Sequence, residues 1–144
     1  MNNGFALIGN EAKKMKSNPP LKVLLIEEKA WLRELFKPTL CTLGCDVIGE
    51  TGAHHIGAQM YKRHRPHLVL SNIELALGTG FDLLRDILAI DPTAYVVMLS
   101  VNDDELTRKT CFDLGARGFI SKNRPIDMFI DELQSHLSVF KLAA

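Results

Sequence analysis

The sequence predicts a doubly wound α/β sheet: five parallel strands with helices on both faces. Two observations carry this. From Leu21 onward, short unbroken apolar runs alternate with longer amphipathic segments, the pattern left by strands buried on both faces and helices buried on one. Glycine and proline then fall where the chain must reverse, at Gly44, Pro66, Asp91-Pro92, Gly115 and Gly118.

Taken in order, the first strand is expected over 22–26 and its helix over 30–43, stopped by Gly44. The second pair occupies 46–50 and 56–64, and Pro66 leads into the third strand, 68–71. A helix over 81–90 follows, closed by Asp91-Pro92, then a strand over 95–99. Asp103-Asp104-Glu105 opens the fourth helix, 105–114, where negative charge suits the helix dipole. The last pair is 118–120 and 126–139. Alternation of this kind is the mark of βα units.

A chain of 144 residues holds one such domain. It is assigned to 21–140, with 1–20 as an extension ending in the linker Ser17-Asn18-Pro19-Pro20. No apolar run approaches the roughly 20 residues of a membrane span. The apolar stretch at 4–9 is followed, not preceded, by Lys13, Lys14 and Lys16, the wrong order for a secretory signal. A cytoplasmic protein is expected. Seventeen basic residues balance 17 acidic ones, so direct nucleic-acid binding is not expected. Cys41, Cys45 and Cys111 fit no zinc spacing or disulfide framework. Trp31, Phe36, Phe81, Phe112, Phe129 and Phe140 are read as core and near-surface packing. His54, His55, His64 and His67 are read as solvated, since no third ligand accompanies them.

In open parallel sheets chemistry collects at the carboxyl ends of the strands. Glu27 and Glu28 follow the first strand, Asn72 the third, Ser100 the fourth and Lys122 the fifth. These five are expected to share one pocket. Any one of them alone would be an ordinary exposed polar residue.

These residues resemble the receiver domain of bacterial two-component response regulators, over nearly all of 21–140. The run 23–28 is similar to the family's first strand with its acidic pair, and 66–73 to the strand bearing the phosphate acceptor. The stretch 80–84 resembles the glycine turn after it, 97–100 the strand ending in the switch hydroxyl, and 115–122 the final strand with its lysine. The resemblance implies a flavodoxin-like fold with strand order 2-1-3-4-5. It also places Asn72 at the acceptor position, Ser100 and Phe119 as the switch pair, and Lys122 as the pocket lysine.

An amide at the acceptor position is no nucleophile, because its nitrogen lone pair is delocalised into the carbonyl. Magnesium, which prefers carboxylate oxygens in octahedral array, loses one ligand there. Only weak magnesium binding by Glu27 and Glu28 is expected. With Asn72 neutral, Lys122 is expected to pair with a glutamate, and Asn72 to donate a hydrogen bond to it. Val101 stands where the family favours a small residue and would restrict access. Asn123 replaces the proline commonly joined to the lysine by a cis bond. Ala76 and Leu77 replace the proline and glycine of the loop after the acceptor.

The reading that follows is a non-enzymatic pseudo-receiver, an interaction module independent of phosphorylation. Its partner is expected to be a histidine kinase or another regulator, or a second copy of the chain. The expected face includes Leu106, Arg108, Lys109, Phe119, Met128 and Phe129. Because Ala144 comes soon after the last helix, output is expected through another protein or through further chain. Two alternatives stand beside it. One is a phosphorylated switch using another acceptor or a deamidated Asn72; the other is a small-ligand site held by Glu27, Glu28 and Lys122, without the glycine loop that nucleotides would call for.

Overall fold

A computed structural model describes residues 19–143. The elements run β1 (Leu21–Ile26), α1 (Ala30–Thr42), β2 (Cys45–Thr51), α2 (His54–His64) and β3 (Leu68–Asn72). They continue with α3 (Gly80–Ile90), β4 (Val96–Ser100), α4 (Glu105–Asp113), β5 (Gly118–Ser121) and α5 (Ile126–Ala143). The five strands form one parallel sheet in the order β2-β1-β3-β4-β5, so the expected fold class and strand order hold. Apart from Pro19 and Pro20, the expected extension over 1–20 lies outside the described residues.

Alternation along each strand feeds two cores. Val23 and Leu25 of β1, with Leu68, Leu70, Val97, Leu99 and Ile120, meet Phe36 and Leu40 of α1 and Phe129, Leu133 and Leu137 of α5. Leu24 and Ile26, with Val69, Val96, Met98 and Phe119, meet Tyr61 of α2, Leu83, Leu84 and Ile87 of α3, and Cys111 of α4. Successive side chains point to opposite faces, so β1, β3, β4 and β5 each glue both helical layers. Phe36 and Phe129 stack across α1 and α5 with centroids 5.4 Å apart.

Two aromatic readings need correction. Trp31 is 65% exposed and Phe112 45% exposed. Neither belongs to the two cores of the described residues. One histidine reading changes, at His54, while His67 is exposed as expected. His54 Nε2 lies 2.6 Å from Asp86 Oδ2, tying α2 to α3, and His67 Nδ1 accepts from the Lys22 amide at 2.9 Å.

The carboxyl edge of the sheet is set by tight local chemistry. Thr79 caps α3, its hydroxyl accepting from the Asp82 amide at 3.2 Å. Gly80 donates to the Ile73 carbonyl at 2.6 Å; a Cβ there would stand 2.3 Å from the Asn72 carbonyl oxygen. Only glycine lets α3 begin so close to the end of β3. Asp104 caps α4 through the Thr107 amide at 2.7 Å; the Thr107 side chain first, then that amide, holds its carboxyl below the usual range.

Candidate functional site

Parallel register brings the strand ends level. Ile26 pairs with Ser71, Asn72 with Leu99, and Ser100 with Ser121. The residues just past these pairs therefore meet along one edge. Glu27 is fully buried. A buried carboxylate requires partners, and it has them: Oε1 accepts from Lys122 Nζ at 2.7 Å and Oε2 from the Lys29 amide at 3.1 Å. Arg33 braces the same turn, donating to the Glu27 carbonyl and to Glu50 Oε1. Lys37 first, then Arg33, holds the Glu50 carboxyl below its usual range.

Asn72 is 5% exposed. Its Nδ2 donates to the Glu74 backbone carbonyl at 2.8 Å, not to a glutamate side chain as the sequence suggested. The loop offers that carbonyl closer at hand, and Glu27 already has its donors. Asn72 Oδ1 is buried without a hydrogen-bond partner among the described residues. The fully buried Ser100 accepts from the Asn102 amide at 3.0 Å, and its hydroxyl faces Glu74 Oε1 at 3.4 Å. Glu74 is thus a member of the site that sequence reasoning missed. Its one signal was its place two residues after Asn72, in a loop closed by a bridge between Glu74 and Thr79.

The β4–α4 and β5–α5 loops are stitched together beside this pocket. The Lys122 amide donates to the Ser100 carbonyl at 2.8 Å, and Ser121 Oγ to Asp103 Oδ2 at 2.8 Å. Asn123 Nδ2 donates to the Val101 carbonyl. No cis peptide occurs among the described residues, so Asn123 makes the turn with an ordinary bond and a side-chain tie. Val101 is 52% exposed and Leu77 64%; both stand on the rim. Phe119 is buried, with the Arg108 guanidinium 5.0 Å from its ring centroid.

Glu28 does not join the cluster. It is exposed, and its side chain makes no hydrogen bond or ion pair to the described residues.

The family profile described as "Response regulator receiver domain" matches residues 23–134. This chain belongs to that family. Among its relatives is Protein CcdB of Bacillus subtilis (strain 168), 31% identical over 101 residues, which span 70% of this chain and 84% of that protein. Chemotaxis protein CheY of the same organism is 26% identical over 117 residues, 81% of this chain and 98% of CheY. Among solved structures, the CheX-CheY-BeF3-Mg complex of Borrelia burgdorferi contains a chain superposing with TM-score 0.78 at 24% identity, covering 88% of this chain and 93% of that one.

In receiver domains the corresponding edge is where magnesium would be expected, so the fit of this chain to the ion can be tested. Both oxygens of Glu27 are engaged, Asn72 offers a neutral oxygen, and Glu28 stands apart. Among the described residues no group of three or more His, Cys, Asp or Glu is placed to hold a metal. The residues do not fit the ion. Nor does any helix of the described residues have the length and apolarity to cross a membrane.

The expected partner face is also revised. Leu106 is 74% exposed and Met128 41%, and Lys109 reaches Asp113 at 2.5 Å on the surface. Phe119 and Phe129 are buried at 5% and 6% exposure, one in each core. Neither is part of the exposed surface.

Proposed function

We propose that this receiver domain works by binding rather than by phosphoryl transfer, as a non-enzymatic cytoplasmic module of two-component signalling. Its partner is a histidine kinase or another regulator. One observation carries the reading: Asn72, at the position of the acceptor, is tied to the Glu74 carbonyl while Lys122 is bonded to Glu27. An amide so held cannot attack phosphorus. The lysine that would hold a phosphoryl oxygen is already neutralised, and the metal that would gather the others finds no ligand set. The domain rests in one state without a cation from outside. The surface offered to the partner is built from Leu106, Lys109 and Met128, a mixed apolar and charged patch of the kind that modest interfaces use.

The test is intact-mass spectrometry after incubation with magnesium and acetyl phosphate. No adduct is expected on the native chain. Asn72→Asp restores a nucleophile between the same neighbours and is expected to gain a phosphoryl group. A phosphoryl adduct on the native protein would overturn the reading.

A further inference from the structure

We propose that the amino edge of the sheet rests on an anionic membrane surface, held by a basic patch at the end of α2 and the start of β1 together with the chain that leads into it. This goes beyond the binding role proposed above and does not depend on it. Lys62, Arg63 and His64 fill the last turn of α2, Arg65 is its C-cap, and His67 stands just before β3. Pairing of β1 with β3 brings Lys22 beside them: its amide donates to His67 Nδ1 at 2.9 Å, and the His67 amide to its carbonyl at 2.9 Å. All six residues are exposed. Lys22, Lys62 and Arg63 have no ion pair with the described residues. Against them stand Asp46, opposite Lys22 in the β1–β2 register, and Asp91, which accepts from the Tyr61 hydroxyl at 2.7 Å and lies 3.7 Å from Arg65. Cations in the last turn of a helix complement its dipole, which accounts for Lys62 and Arg63. It leaves Lys22, on a strand, and Arg65, which ends α2 at φ 45°, a left-handed conformation that glycine takes at less cost.

The chain that enters β1 adds to the same charge. Lys13, Lys14 and Lys16 come six to nine residues before Lys22, and the apolar run Phe5-Ala6-Leu7-Ile8 precedes them; both segments lie outside the described residues. An apolar run beside a polybasic cluster is the pair of signals that holds a peripheral protein on anionic lipid, apolar side chains entering the interface while cations meet the headgroups. No spanning helix is needed. Nucleic acid matches less well. The whole chain has no net formal charge, and an apolar run has no role against phosphates. Trp31 and Phe112, large aromatic side chains exposed for stacking, lie on α1 and α4 and not in the patch. The opposite edge of the sheet is acidic, with Glu28, Glu74, Asp103, Asp104 and Glu105 all exposed. An anionic surface attracts one edge and repels the other, so the domain sits with Asn72 and its neighbours turned away from the lipid.

The experiment is co-sedimentation of the full chain with vesicles of equimolar phosphatidylglycerol and phosphatidylcholine, with pure phosphatidylcholine vesicles in parallel and a DNA duplex of matched phosphate concentration as competitor. The chain is expected to sediment with the anionic vesicles and not the neutral ones, to be released as salt rises, and to stay on the vesicles when the duplex is added. Lys62→Gln/Arg63→Gln, at exposed positions, is expected to weaken binding about 25-fold, two charges at about fivefold each, with an unchanged circular dichroism spectrum. Phe5→Ser/Leu7→Ser is expected to weaken it too while keeping its salt dependence, since no charge is removed. Equal binding to neutral vesicles, no binding to anionic ones, either variant binding as the native chain does, or displacement by the duplex would each overturn the proposal.

Discussion

Replacing Lys122 by methionine isolates the ion pair around which the pocket is organised. The two side chains are 13% and 1% exposed, with 2.7 Å between Nζ and Oε1. Methionine fills nearly the same volume but leaves the Glu27 carboxylate buried with the Lys29 amide as its remaining donor. Removing one member of a buried pair costs about 3–5 kcal/mol, because the remaining charge has lost both water and partner. With a urea slope near 2 kcal/mol/M, the midpoint should fall by about 2 M. Circular dichroism is the readout, since Trp31 is largely exposed and reports poorly on folding. The double variant Glu27→Gln/Lys122→Met orphans no charge and should recover most of the loss, to within about 1–2 kcal/mol of the native chain. A single variant losing less than about 1 kcal/mol, or a double variant as unstable as the two singles added, would refute this account of the site.

Three further outcomes follow. Gly80→Ala should cost about 2–3 kcal/mol, seen as a melting temperature lower by roughly 10 °C, because its Cβ would meet the Asn72 carbonyl oxygen at 2.3 Å and the Ile73 Cα at 2.8 Å. His136 has its pKa lowered, chiefly by burial, with Glu132 opposing; its Nδ1 lies 2.8 Å from the Tyr95 hydroxyl, whose ring carries the Arg117 guanidinium. The unfolded chain therefore takes up this proton first, so stability present above the ordinary histidine pKa is lost as pH falls from about 7 towards 5. His136→Gln should flatten that slope in urea melts across the same range. Leu106→Ser removes an exposed leucine and should change stability by less than about 0.5 kcal/mol in the same urea melts.

The sequence by itself determined the sheet, its helices and the edge on which the polar residues collect. Period-two and period-3.6 patterns are local properties that survive without the fold, and a strand that must bury both faces shows it in every residue from Val23 to Ile26. It also implied that a lysine would pair with a glutamate across the pocket, since one of each at converging strand ends leaves charge little choice. Which glutamate was another matter. Glu27 lies 95 residues from Lys122, and only the packed sheet shows that it is buried while its neighbour Glu28 faces water. Tertiary structure alone decided that Asn72 would turn to the Glu74 carbonyl, that Glu74 would reach Ser100, and that His54 would meet Asp86. The aromatic residues divide the same way: composition marks Phe119, Phe129, Trp31 and Phe112 as equally apolar, yet two are buried and two exposed. An element's periodicity says which of its faces is apolar; what covers that face is a property of the neighbours the fold brings to it.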